Sequence, residues 1–86
     1  VGLQLSQTTM RTRVSNLKML ADYQERKRAL LDDGYRLRHE TWLGHGVIAR
    51  LCHKSNGHDI ILSAIGMTLT QKSNGTIVHQ HTYEDN

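Results

Sequence analysis

The sequence predicts an α+β domain in which one N-terminal helix packs on a curved antiparallel four-stranded meander, in the order α-β-β-β-β. Three observations predict it. Residues 10–31 are rich in Leu, Arg, Lys, Met, Glu and Ala and contain neither Gly nor Pro, a composition that favours a helix. From Tyr35 onward apolar and polar residues alternate, the period of a half-buried strand. The tetrapeptide Lys-Ser-Asn-Gly recurs at 54–57 and 72–75. Asn-Gly between β-rich flanks is a strong hairpin signal, because a type I′ turn needs positive φ at both central residues.

The elements follow in order. Residues 1–9 are polar and precede any helical pattern; with Val rather than Met at position 1, they read as a flexible or extraneous lead-in to a single domain over 10–86. Within the helix, Met10, Val14, Leu17 and Ala21 are spaced 4, 3, 4, with Leu20 beside them and Leu30 and Leu31 at the far end, which predicts the buried stripe. Gln24, Lys27 and Arg28 interrupt it, so a long coiled coil is not expected. Asp32-Asp33-Gly34 ends the helix, since Gly suits the left-handed C′ position and acids oppose the dipole there. Strand one covers 35–43, with Tyr35, Leu37, His39 and Thr41 on one side and Arg36, Arg38, Glu40 and Trp42 on the other. Strand two covers 47–53, strand three runs from the first Asn-Gly to about residue 71, and strand four covers 76–83. The last three residues, 84–86, are expected to fray.

A two-residue turn at Asn56-Gly57 sets Leu51 opposite Leu62 and Ala49 opposite Ala64, so that these residues with Val47 and Ile60 form the helix-covered face. Strict alternation then misplaces Met67 and Leu69. An extra residue at Gly66 restores them, and Val78 with them, to the core side, so a bulge is expected there. The opposite face then carries Ile48, Arg50, Ile61, Ile65, Ile77, His79 and His81.

Composition bounds the function. Eighty-six residues with 37% apolar content, no Phe and one Trp allow one modest core, which a dimer interface would supplement. Cys52 is the sole cysteine, so no internal disulfide forms and a cytoplasmic location is expected. No apolar run is long enough to span a membrane. The net charge of +3 is uneven: Arg11, Arg13, Lys18, Arg26, Lys27 and Arg28 face only Asp22 and Glu25 in the helix.

No catalytic residue, metal site, cofactor or small-molecule ligand is expected. His79 and His81 share a strand face about 6.6 Å apart, but zinc needs further ligands and Thr68 and Thr70 are the expected neighbours. Cys52 as a nucleophile lacks a base fixed by sequence and reads as a small buried hydrophobe. A metal-dependent or cysteine enzyme is therefore the weakest reading. The basic helix supports a second one, nucleic-acid binding through Arg11, Arg13, Lys18, Arg26, Lys27 and Arg28, with Arg36 and Arg38 sharing a strand face beside it. The expectation that best fits the residues is a non-enzymatic interaction module. It forms a homodimer through Ile48, Arg50, Ile61, Ile65, Ile77, His79 and His81, which should dissociate in acid as the histidines charge.

Overall fold

A computed structural model describes the backbone of residues 2–84 and the side chains of residues 16–84. One helix, α1 (Gly2–Asp32), precedes five strands: β1 (Tyr35–Leu43), β2 (Gly46–His53), β3 (Asp59–Ile65), β4 (Thr68–Ser73) and β5 (Thr76–Thr82). Each strand pairs antiparallel with the next, giving a single sheet in the order β1-β2-β3-β4-β5. The α+β class is as the sequence predicts, but the sheet has five strands rather than four.

The additional strand arises at Gly66. No bulge lies there; Gly66 and Met67 have φ of 60° and 62° and reverse the chain between Ile65 and Thr68, which pair. Two successive left-handed residues make a type I′ turn. Gly-Met lacks the turn's usual signature, because a side chain at positive φ costs about 1–2 kcal/mol, so the sequence reads straight through it. The reversal still places Leu69 opposite Ala64 on the core side, where it is buried, with Met67 packed at the margin.

The two Lys-Ser-Asn-Gly copies fold differently. Asn74 and Gly75 have φ of 49° and 89° and make the expected two-residue turn. Asn56 does not have positive φ; Gly57 N donates to His53 O across a wider loop, and Asn56 Oδ1 accepts from His58 N. The wider loop changes the register: Leu51 faces Ile60, Ala49 faces Leu62 and Val47 faces Ala64. A shift of two residues preserves which face each side chain occupies. All six are therefore buried together as predicted.

Two bulges fall on the edge strands instead. In β1 the register jumps between Leu37 and His39, so Arg38 is extra; Tyr35 and Leu37, then Glu40 and Trp42, share the helix side, leaving His39 and Thr41 on the outer face. This corrects the strict alternation expected for β1. In β5, Lys72 pairs with Ile77 and Gln71 with His79, so Val78 is extra and 55% exposed rather than in the core.

At about 1.5 Å per residue α1 is about 46 Å long, longer than any strand of the sheet beneath it. Its sheet-facing residues are Met19 and Tyr23, fully buried, with Leu20 and Leu30 packed beside them. The predicted stripe is thus displaced: Leu17 is 57% exposed, Ala21 and Leu31 are exposed, and the side chains of Met10 and Val14 lie outside the described residues. The displacement has a polar cause. Lys27 Nζ bonds Glu40 Oε2 at 2.7 Å and Arg26 bonds Gln71 at 3.0 Å, so two cations occupy the helix side that faces the sheet. Tyr23 donates to the same Glu40 oxygen at 2.5 Å, and Trp42 donates to Oε1.

Burial pushes the Glu40 carboxyl up, but the bonds from Lys27, Tyr23 and Trp42 and the Lys27 charge outweigh it and hold the group below its ordinary value. A carboxylate lowered on folding stabilises the fold above its unfolded value of about 4.3 and loses that contribution as pH falls through the folded value. Urea unfolding should therefore show wild type more stable than Glu40→Gln at neutral pH, with the difference closing in acid. A gap of constant size across that range would mean that the Glu40 charge contributes nothing.

Candidate functional site

Two surfaces bring chemistry-bearing side chains together. The first is a groove of about 580 Å³ between α1 and the β4–β5 end of the sheet, where the helix leaves β5 uncovered; Asp22, Glu25, Arg26, His79, His81 and Tyr83 are among its lining. Tyr83 donates to Asp22 at 2.5 Å and stacks edge-on against His81 at 4.5 Å. Burial first, then the Asp22 carboxylate, pushes the Tyr83 hydroxyl up to about 12. Burial, with Arg26 and His81 nearby, lowers the His79 pKa below its ordinary value.

His79 and His81 therefore lie on the helix side, opposite Gln71 and Leu69, and not on the outer face where strict alternation puts them. The extra residue Val78 reverses their facing. They cannot contribute to an interface with Ile48 and Ile61, and the acid dissociation expected from them falls away. Among the described residues no group of three or more His, Cys, Asp or Glu side chains is placed to hold a metal ion.

The second surface is the outer face of the sheet, which carries Ile48, Arg50, Cys52, Asp59, Ile61, Ser63 and Ile65 on β2 and β3. Ile48 and Ile61 are 38% and 37% exposed, Ile77 is 51% exposed and Ile65 is half-buried. Cross-strand rows show that this face is divided. One row runs Thr41, Ile48, Ser63, Thr70, Gln80, and a neighbouring one Ile65, Thr68, Thr82; both are neutral. The next row runs His39, Arg50, Ile61, Lys72, Ile77, so Lys72 separates Ile77 from the other isoleucines. The stems of Arg50 and Lys72 flank Ile61, as long cationic side chains do over apolar surface.

Beyond that row the face becomes basic. Arg36, Arg38, Arg50, Cys52, His53 and Lys54 line an open basin of about 430 Å³. Arg50 Nε bonds Asp59 Oδ1 at 3.0 Å, which holds the Asp59 carboxyl below its ordinary value. The Cys52 thiol donates to the same oxygen at 3.5 Å. His53 beside it is engaged elsewhere, with Asp33 O and Ser55, and offers that thiol no base. His58 bridges Tyr35 and Ser73, at 2.6 Å to each.

The basic helix presents no continuous cationic patch among the described residues. Lys18 and Arg28 are exposed, Arg26 and Lys27 are held against the sheet, and Arg11 and Arg13 lie outside the described side chains. What sequence reading missed is the convergence of Arg36, Arg38 and Lys54 on Arg50. The alternating arginines of β1 were its signal, but only the β1–β2 register sets them beside β2. No described helix is long and apolar enough to cross a membrane. Comparison with protein-family models, with curated proteins and with solved structures finds no match to this chain.

Proposed function

We propose that this chain is a small non-enzymatic interaction module that forms a symmetric dimer through the neutral half of its outer sheet face. The observation that supports this reading is the exposure of Ile48, with Ile65 beside it and Ile61 at the margin of the neutral rows, on a face that no described element covers. Burying an Ile side chain fully is worth about 1.5–3 kcal/mol; Ile48 and Ile61, 38% and 37% exposed, can each contribute roughly two-fifths of that, and a two-fold contact doubles each contribution because the same patch serves both copies. Thr41, Ser63, Thr70 and Gln80 share a row with Ile48 and supply an uncharged polar surround, while Ile61 lies in the next row, between Arg50 and Lys72. Arg50 lies at the rim, and Ile77 lies outside the contact. A cytoplasmic location is part of the same proposal and rests on the single cysteine.

Sedimentation at neutral pH should give twice the 9.8 kDa chain mass. Ile48→Lys should leave a folded monomer, weakening association at least about a hundredfold, because a charge buried unpaired costs about 3–5 kcal/mol. A wild-type monomer at high concentration would end this reading.

A further inference from the structure

The basic half of the outer face needs its own account, independent of the dimer. Four permanent cations, Arg36, Arg38, Arg50 and Lys54, converge on one basin with one carboxylate, Asp59, beside them. Asp59 engages Arg50 through Nε, and the side chains of Arg36, Arg38 and Lys54 have no ion-pair or hydrogen-bond partner among the described residues. Charges on β1 guard an exposed sheet edge against strand pairing. Arg50 and Lys54 lie off that edge, so edge protection does not account for them. Like charges held together repel, and an anion seated among them relieves that repulsion.

We propose that this basin binds the phosphodiester backbone of nucleic acid. Guanidinium groups match phosphate oxygens with paired N–H donors, and three of the four cations are arginines. The basin opens to solvent, as a surface over which a chain passes, and the row from Arg50 across Ile61 reaches Lys72, about 10 Å away at two strand spacings. Trp42 and Tyr35 of β1 face the helix side, as do Tyr23 and Tyr83, so no described aromatic is available on the outer face for base stacking. Recognition there is by phosphate alone, strong in its salt dependence and indifferent to sequence.

Fluorescence anisotropy with a labelled DNA duplex tests this. Three to four phosphate contacts predict that Kd rises about 40–150-fold between 50 and 200 mM salt, from a slope of about −0.9 per contact. Each of Arg36→Gln, Arg38→Gln and Arg50→Gln should flatten the slope by about 0.9, and the triple variant should abolish most of the binding. These side chains are exposed, so the fold is expected to survive, with circular dichroism as the check. Lys18→Gln with Arg28→Gln should bind as wild type. Four results would overturn the proposal. They are no binding at 50 mM salt, equal loss from the helix variant, competition by inorganic phosphate as effective as by unlabelled duplex, and equal competition by polyglutamate. The third would indicate a small-anion site and the fourth an acidic protein partner.

Discussion

Tyr23→Ala should destabilise the domain by about 3–5 kcal/mol. Tyr23 is fully buried at the centre of the helix–sheet contact, set edge-on to Trp42 at 6.0 Å with Lys27 Nζ 5.3 Å from its ring centre. Truncating a buried aromatic costs about 3–5 kcal/mol. At roughly 0.05–0.15 kcal/mol per residue, a chain of this size has about 4–13 kcal/mol in total, so one substitution removes between about a quarter and all of it. Tyr23→Phe separates the ring from its hydroxyl, since only the bond to Glu40 is lost while Lys27 and Trp42 still hold that carboxylate. It should cost about 1–1.5 kcal/mol. Denaturant unfolding measures both. If Tyr23→Ala stayed within about 1 kcal/mol of wild type, the ring would not be central to the core.

Gly46→Ala should be nearly as damaging, although it adds one methyl group. A Cβ at Gly46 would collide with the Ala64 carbonyl oxygen and lie 3.0 Å from the Ile65 Cα, both backbone atoms of the adjacent strand. No rotamer change relieves such a clash, so β2 and β3 must separate where Gly46 pairs with Ile65. Overpacking of this kind costs about 1–3 kcal/mol. In a domain this small that lowers Tm by roughly 4–24 °C, at about 4–8 °C per kcal/mol. Gly44→Ala is the matched control two residues away, where an added Cβ meets nothing within 4 Å and φ is not positive. It should be neutral or slightly stabilising. Equal melting temperatures for the two variants would refute the close approach.

The six residues of the β2–β3 core face were legible because alternation is a local property that survives an error of two in register. The stop at Asp32-Asp33-Gly34 was legible for a similar reason: Gly34 has φ of 101°, and a glycine tolerates that conformation wherever the helix ends. Positions depending on a bulge were not legible. Val78 and Arg38 each insert one residue into an edge strand, and each reverses the facing of everything beyond it on that strand. His79 and His81 consequently moved to the helix groove, and Glu40 came within reach of Lys27.

By itself, the sequence determined the α+β class, the order of helix before sheet, the second Asn-Gly hairpin, and which residues of β2 and the start of β3 are buried. Those depend on periodicity and turn chemistry, which act over a few neighbouring residues. Only the tertiary structure decided that Gly66-Met67 is a turn, because the turn sets a left-handed methionine against the pairing of β3 with β4, and local propensity gives no sign of that compensation. It also decided which side of α1 is buried. Leu17 and Ala21 were the stronger apolar signal, yet Met19 and Tyr23 face the sheet, because that rotation also brings Lys27 to Glu40 and Arg26 to Gln71. The placement of Arg36 and Arg38 beside Arg50 and Lys54 has the same origin: cations spread over two strands and a turn become one basin only when β1 pairs with β2.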